Sequence, residues 1–194
     1  MADDTTGACI QGEDGVLRCP WSGSSAEYIA YHDTEWGVPV QDERGLYERI
    51  MLEAFQSGLS WLTILRKRDG IRDAFAGFDP DEVAKFTEAD VERLMQDPRI
   101  IRNRMKINAA ITNAKATIAL REQGGLADLI WSFVPVEHPV PASIHDVPAV
   151  TPESAALAKA LKKAGFAFVG PTTVYAAMQA IGVVNDHLVD CHAR

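Results

Sequence analysis

Apolar residues recur every three or four positions along most of this chain, the spacing that places them on one face of a helix. The longest such segment includes Lys106 and ends near Gly124 and Gly125. A second covers residues 42–57 and is followed by Gly58, which closes it. The apolar stripe of the longest segment consists of Ile107, Ile111, Ala114 and Ile118. Alternating patterns typical of strands are scarce, so the chain is predicted to be all-α.

Three helix starts are marked by a capping side chain followed by proline or acidic residues in the first turn. The capping residues are Asp79, Thr87 and Thr151. Between the helical segments, residues 134–150 are rich in proline. This stretch predicts one long irregular connection.

Residues 1–17 are polar and acidic and contain three glycines. This composition favours disorder, so we expect them to form an extension outside the fold. The remaining residues, 18–194, are numerous enough to bury one substantial core. We predict a single globular domain there, within which two helical subdomains can flank a pocket.

The composition, 47% hydrophobic and 24% charged over 194 residues, is that of a globular protein. No apolar run reaches the ~18 residues of a membrane helix. The N-terminus also lacks a signal-peptide pattern, so we expect a cytoplasmic protein without membrane contact. Cys9, Cys19 and Cys191 are too few, and odd in number, for a disulfide framework.

The net charge of −8 argues against a nucleic-acid partner. On composition alone a metabolic enzyme is the first hypothesis. Local basic clusters at residues 66–68, 99–106 and 159–163 moderate that hypothesis. Solvated helix faces explain such clusters as well, and they are the better explanation for residues 159–163 taken alone.

Candidate metal ligands stand near both ends of the predicted domain. Cys19 and His32 lie near its start, and His187 and Cys191, four residues apart and therefore on one helical face, lie near its end. Two thiolates and two imidazoles make a tetrahedral zinc site with no open position, which is structural rather than catalytic. Spacing alone leaves an accidental pair as the alternative, and His192 and Cys9 are lower-ranked candidates.

Glu53 is the candidate functional carboxylate. It falls on the apolar face of the segment 42–57, where a charge needs a partner. An ion pair with Arg49, four residues earlier, explains it as well as a functional role does. Aromatic residues are dense nearby, and they suit either core packing or a pocket for a flat, electron-poor base: Trp21, Tyr28, Tyr31, Trp36 and Trp61.

Residues 94–106 place a short turn between a capped helix and the long amphipathic one. This arrangement resembles a helix-hairpin-helix, whose turn directs backbone NH groups at DNA phosphate. The glycines usual in such hairpins are missing from this segment. A plain helix–helix turn with exposed arginines is the alternative.

Six sequence blocks, in unbroken order from about residue 18 to the C-terminus, together resemble the 3-methyladenine DNA glycosylase I family. They are residues 18–21 (RCPW), 31–39 (YHDTEWGVP), 52–53 (LE) with 58–61 (GLSW), 100–107 (IIRNRMKI), 160–170 (ALKKAGFAFVG) and 184–187 (VNDH). The resemblance implies an all-helical member of the helix-hairpin-helix DNA glycosylases. It also implies one structural zinc ion that joins the two ends of the domain.

The resemblance assigns roles to the candidate residues. Glu53 corresponds to the glutamate that contacts the base and supports catalysis, and Trp61 to the tryptophan that stacks on it. The other substrate-binding aromatics correspond to Trp21, Tyr28 and Tyr31, and the zinc ligands to Cys19, His32, His187 and Cys191. The DNA contacts are assigned to Gly58, Leu59, Arg102, Arg104 and Lys106.

The implied reaction is hydrolysis of the N-glycosidic bond of 3-methyladenine in double-stranded DNA that carries alkylated bases. It leaves an abasic site, involves no lyase step and is carried out by a monomer. Two hypotheses from other classes compete with it. One is a zinc metallohydrolase that uses His32 and Glu35, which requires an open coordination position. The other is a non-catalytic module that binds damaged DNA.

Overall fold

The computed structural model describes residues 7–194, and within that range the chain is mostly helical. The helices are α1 (Ala26–Thr34), α2 (Glu43–Gln56), α3 (Trp61–Ala74), α4 (Pro80–Val83), α5 (Glu88–Gln96), α6 (Arg104–Leu120), α7 (Gly125–Trp131), α8 (Pro152–Lys163) and α9 (Pro171–Ile181). The prediction of a helical chain is confirmed.

The predicted helix starts are also confirmed. Asp79 caps α4 through the backbone NH of Asp81, Thr87 and Asp90 form a capping box at α5, and Thr151 caps α8. A side-chain oxygen at these positions satisfies NH groups that have no partner within the helix. The proline-rich stretch lies, as predicted, in the long connection between α7 and α8, which holds only a short 3-10 turn at Ile144–Asp146.

The N-terminal segment differs from the expectation of disorder over residues 1–17. Strand β1 (Ile10–Gln11) pairs in antiparallel fashion with β2 (Leu17–Arg18). Ahead of this hairpin, the NH of Ile144 donates to the carbonyl of Gly7 at 2.8 Å. The composition predicted disorder because it gives no information about backbone hydrogen bonds between segments that are distant in sequence. Residues 1–6 lie outside the described part of the chain.

Helix α2 lies at the centre of the described fold. Its apolar residues, including Leu46, Met51 and Phe55, are fully buried, and α3, α6, α7 and α9 pack around it. The hydroxyl of Tyr47 donates to the carbonyl of Ala110 in α6 at 2.8 Å, so even its polar atom is satisfied inside the core. One continuous hydrophobic cluster runs from Leu46 to Val184.

A tight turn joins α8 to α9. The NH of Gly165 donates to the carbonyl of Lys162, and the NH of Phe166 to that of Leu161, both at 3.0 Å. These two bonds form a Schellman motif, which requires the positive φ of +100° that Gly165 adopts. The chain then passes Gly170 and enters α9 at Pro171.

The described helices include none that is long and apolar enough to cross a membrane. A separate feature is that the N-terminal hairpin and the last residues of the chain lie on the same side of the molecule. The NH of His192 donates to the carbonyl of Leu17 at 3.0 Å. This contact brings the N-terminal hairpin beside the last residues of the chain.

Candidate active site and metal cluster

A cavity of about 410 Å³ opens between α1, the ends of α2 and α3, the connection before α8, and α9. Its walls are mostly aromatic and aliphatic, with few polar groups, a composition common in small-molecule sites. Its lining includes Trp21, Tyr28, Tyr31, Trp36, Glu53, Gln56, Trp61, Val147, Pro148, Thr172, Tyr175 and Gln179.

Glu53 projects from the last turns of α2 into this cavity and is only 6% exposed. Its carboxylate has neither a hydrogen bond nor an ion pair within residues 7–194. The alternative ion pair with Arg49 is not formed, because Arg49 lies instead 3.9 Å from Glu35. Burial therefore acts unopposed and raises the pKa of Glu53 from 4.5 to about 8.

The aromatic residues named from the sequence lie together around Glu53. The rings of Trp21 and Trp36 are 5.0 Å apart, those of Trp21 and Tyr28 are 5.8 Å apart, and those of Tyr31 and Trp61 are 5.2 Å apart. Such spacings are typical of edge and tilted aromatic packing. The cavity is thus walled by ring faces and edges, which suits a flat aromatic ligand.

Local structure fixes Trp61 and Tyr28 relative to each other. Ser60 caps α3 by accepting from the NH of Thr63, so Trp61 is the first residue of that helix. The NH of Leu62, next in the same helix, donates to the hydroxyl of Tyr28 at 3.1 Å. The indole Nε1 of Trp61 is buried without a hydrogen-bond partner in the described chain.

Sequence reasoning missed the wall that α9 contributes. Tyr175 and Gln179, one helical turn apart, both line the cavity. Their side chains donate to the buried carboxylate of Asp186, each at 2.7 Å. The signal available in the sequence was that these two polar residues lie four positions apart in an otherwise apolar helix. This pattern is too common to identify a site by itself.

Cys19, His32, His187 and Cys191 form a buried cluster whose ligand atoms all lie within 4.8 Å of one another. The Sγ of Cys191 is 3.4 Å from both Nε2 of His32 and Nδ1 of His187. The Sγ of Cys19 is 3.9 Å from the same Nδ1. This donor set and compactness suit a tetrahedral metal ion with no open position.

The second nitrogen of each histidine is also engaged. Nδ1 of His32 lies 2.8 Å from Oδ1 of Asp33, and Nε2 of His187 lies 3.0 Å from the carbonyl of Trp36. Contacts of this kind orient metal-binding imidazoles. Burial lowers the pKa of His187 to about 4, so its ring is neutral, the form that binds metal.

The two lower-ranked ligand candidates lie beside the cluster rather than in it. His192 is 2.8 Å from the Asp33 oxygen that also holds His32. Cys9 is half-buried and packs against Cys19 and Cys191. Glu35 lies outside the cluster as well, because Arg68 binds both of its oxygens at 2.7 and 2.8 Å.

The turn between α2 and α3 exposes Leu59, which is 42% accessible, beside the cavity residues Gln56 and Trp61. Gly58 precedes it with a φ of +80°. Lys106, by contrast, is only 6% exposed. Its ammonium donates to the carbonyls of Phe55 at 2.9 Å and Ser57 at 2.6 Å, so it caps α2 instead of facing solvent.

Arg102 and Arg104 differ in their surroundings. Arg104 binds Glu92 at 2.5 Å and Glu88 at still closer range, so its charge is already neutralised. Arg102 is exposed and makes no ion pair with any described residue. Of the three basic residues assigned to DNA from the sequence, only Arg102 therefore offers a free charge.

The described part of the chain combines a helical fold, an aromatic cavity that can accommodate a flat ring, and a buried cluster of two cysteines and two histidines that could hold a metal ion. The sequence pattern of the Methyladenine glycosylase family matches residues 21–194. The chain therefore belongs to this family.

Individual relatives agree with that assignment. The DNA-3-methyladenine glycosylase of Haemophilus influenzae is 50% identical over 183 residues, which is 92% of this chain and 98% of that protein. A crystal structure of 3-methyladenine DNA glycosylase I aligns with a TM-score of 0.88 and 51% identity, covering 91% of this chain and 99% of the other. A Tyr-to-Phe variant of such an enzyme, in complex with 3-methyladenine, aligns at 0.86 with 34% identity, covering 91% and 96%.

Proposed function

We propose that this protein hydrolyses the N-glycosidic bond of 3-methyladenine in alkylated double-stranded DNA and leaves an abasic site. The observation that carries the proposal is the aromatic cavity built around the buried, unpaired carboxyl group of Glu53. The names and the ligand of the relatives support the choice of base.

The base must leave the helical stack to enter such a cavity. N3-methylation gives adenine a positive charge, which ring faces attract and which a carboxylate stabilises. We assign stacking on the base to Trp61 and the remaining aromatic contacts to Trp21, Tyr28 and Tyr31. Glu53 is assigned both contact with the polar edge of the base and support of the developing sugar cation.

In the reaction the bond between C1′ of the sugar and the base breaks, and its electron pair goes to the base. The base is a good leaving group because it already carries a positive charge. Water then adds to C1′ and loses a proton, which leaves an abasic site. We assign no lysine as a nucleophile, so no strand cleavage accompanies base release.

The unpaired state of Glu53 suits a cationic ligand. At neutral pH the raised pKa keeps most of the carboxyl groups protonated. A cationic base in the cavity favours the ionised form, so its binding lowers this pKa and releases a proton. Neutral adenine supplies no such charge, and it is a poorer leaving group as well.

We infer three points of DNA contact. Leu59, exposed on the turn after Gly58, is placed to fill the gap left by the flipped nucleotide. Arg102 supplies a free charge for phosphate. The third is the hairpin between α8 and α9, which contains the glycines that the segment 94–106 lacks, Gly165 and Gly170, with Lys162 and Lys163 just before it. NH groups at the start of α9 can approach phosphate there.

We propose that the cluster of Cys19, His32, His187 and Cys191 holds one zinc ion. Two thiolates and two imidazoles are ligands that Zn²⁺ prefers. When bound, the ion cross-links the two ends of the domain, because its ligands come from residues 19–32 and 187–191. With four protein ligands it has no position for an activated water, so its role is structural. We further propose that residues 18–194 act as one domain and as a monomer.

The test is incubation of the purified protein with methylated duplex DNA, followed by chromatography of the released bases and gel analysis of the strands. We expect free 3-methyladenine, and strand breaks only after alkali has cleaved the abasic sites. Tight binding of methylated DNA without base release would favour the non-catalytic module. X-ray absorption at the zinc edge that revealed a water ligand would favour the metallohydrolase.

A further inference from the structure

Asp186 lies behind the wall of the cavity that α9 forms, and its side chain is nearly inaccessible. Its Oδ2 accepts hydrogen bonds from the hydroxyl of Tyr175 and from Nε2 of Gln179, each at 2.7 Å. Its Oδ1 lies 2.7 Å from Nε2 of His138. Tyr175 and Gln179 line the cavity, whereas His138 lies outside it.

This arrangement fixes the orientation of the Gln179 amide. A glutamine side chain has one donor end and one acceptor end, and a carboxylate oxygen only accepts. If the amide were turned over, its oxygen would face Oδ2 of Asp186 at 2.7 Å, where two acceptors repel. The NH₂ group must therefore face Asp186, and Oε1 is left as the free end of a residue that lines the cavity. Oε1 receives no hydrogen bond from any described residue.

The free Oε1 of Gln179 is an acceptor that cannot become a donor while Asp186 holds the amide. Glu53 differs in this respect, because its raised pKa lets the carboxyl group carry a proton and donate it. Before a base binds, Glu53 can therefore either accept or donate a hydrogen bond, depending on whether it holds its proton. Gln179 accepts from an amine and repels a carbonyl.

We propose that Gln179, oriented by Asp186, recognises the exocyclic amine at C6 of the flipped purine and makes the cavity selective for 6-amino over 6-oxo purines. This inference rests on the proposed function and names its specificity-determining residue. Gln179 contacts the base, and Asp186 is the positioning residue behind it. A carbonyl at C6 faces an unpaired acceptor in a cavity with mostly apolar walls, and such mismatches give large discrimination.

The test is the ratio of the single-turnover rates at which 3-methyladenine and 3-methylguanine leave the same methylated duplex. We expect a ratio well above 10 for the wild type. Gln179→Met keeps the volume of the side chain but removes the acceptor, and it should lower the ratio at least about tenfold. Asp186→Ala frees the amide to turn its NH₂ toward the base and should lower the ratio in the same direction.

His138→Ala is the matched control, because it removes a different partner of Asp186 and leaves Gln179 held. Its ratio should stay within about twofold of the wild type. Equal release of both bases by the wild type, or an unchanged ratio in Gln179→Met, would overturn the inference. If Gln179→Met does not fold, the inference is tested by the ratios of the wild type and of Asp186→Ala, and an unchanged ratio in Asp186→Ala would overturn it. Absence of any 3-methyladenine release by folded wild type would instead overturn the proposed function.

Discussion

The protonation of Glu53 follows from where its side chain lies. An isolated carboxylate in a low-dielectric cavity is costly, so the group keeps its proton to higher pH than in water. In the unfolded chain the same group ionises near 4.5, whereas in the folded protein its pKa is about 8. Between these values the unfolded state has lost the proton and the folded state still holds it. The wild type must therefore lose stability as pH rises through this range.

Glu53→Gln removes this loss, because a neutral amide of similar size replaces the carboxyl group. The free energy of unfolding of the variant, relative to wild type, should rise by on the order of 3 kcal/mol between pH 5 and pH 9. Urea unfolding at pH 5, 7 and 9 measures it. Glu122→Gln, at an exposed position, is the control and should follow the wild type. If the free energies of unfolding of wild type and Glu53→Gln changed in parallel with pH, the raised pKa assigned to Glu53 would be wrong.

Two arginines on one segment give a matched comparison of free and neutralised charge. Arg102 is unpaired within the described chain, and Arg104 is bound by Glu88 and Glu92. Arg102→Ala should reduce the slope of log affinity for DNA against log salt concentration by about 0.9, the value for one phosphate contact. Arg104→Ala should change it much less. Fluorescence anisotropy across a salt series checks both, and equal changes would count against the assignment.

At the scale of single residues, sequence reasoning named the carboxylate, the aromatic residues and the four cluster residues that the structure brings together. It did not identify the burial of Lys106 or the contribution of Gln179. Both depend on which atoms of distant segments meet, such as the carbonyl of Ser57 for Lys106 and the carboxylate of Asp186 for Gln179. A basic residue in a basic cluster carries no local sign that it is buried.

At the scale of elements, helices were predictable because their capping residues and apolar stripes are local. The hairpin of β1 and β2 was not, since two-residue strands leave no periodic pattern. The segment 94–106 was predicted to be a DNA-binding hairpin because its sequence places a short turn between a capped helix and the long amphipathic helix. We propose the connection between α8 and α9 for this role instead, because the positive φ of Gly165 allows a tight turn at the end of α8.

Lys106 links two elements by capping the end of α2 from the first turn of α6. Lys106→Met keeps most of the apolar stem but leaves the carbonyls of Phe55 and Ser57 without their donor. We expect a loss of about 1–3 kcal/mol in the free energy of unfolding, measured by urea titration. The turn that carries Leu59 should also become more mobile. We therefore expect a larger decrease in the rate of excision from DNA than in the affinity for free 3-methyladenine. An unchanged stability would show that the cap is dispensable.

At the scale of the whole molecule, the cluster joins segments that are 168 residues apart in sequence, as the contact between Cys19 and His187 shows. The N-terminal one of these segments also lines the cavity, because Trp21 follows Cys19 by two positions and Tyr31 precedes His32. A metal ion bound there would stabilise the fold as any closure of a long loop does. Sequence alone could propose this closure only through the spacing and the family resemblance.

Loss of one of the four proposed ligands should abolish binding of the proposed zinc ion. Cys191→Ser should bind less than a tenth of the zinc of the wild type, and its free energy of unfolding should fall by more than about 3 kcal/mol. Elemental analysis and thermal melting measure these effects. Cys9→Ser, beside the cluster but outside the set of four, should keep one zinc ion per chain. Full zinc content in Cys191→Ser would contradict the four-ligand assignment.

Glu53, in its aromatic cavity, is proposed to support the release of 3-methyladenine. The most direct measurement compares the single-turnover rates of wild type and Glu53→Gln on methylated duplex DNA, with both proteins shown to be folded. We expect the variant to release the base about 10²-fold more slowly, since it lacks a charge that stabilises the transition state. Equal rates for the two proteins would contradict the claim.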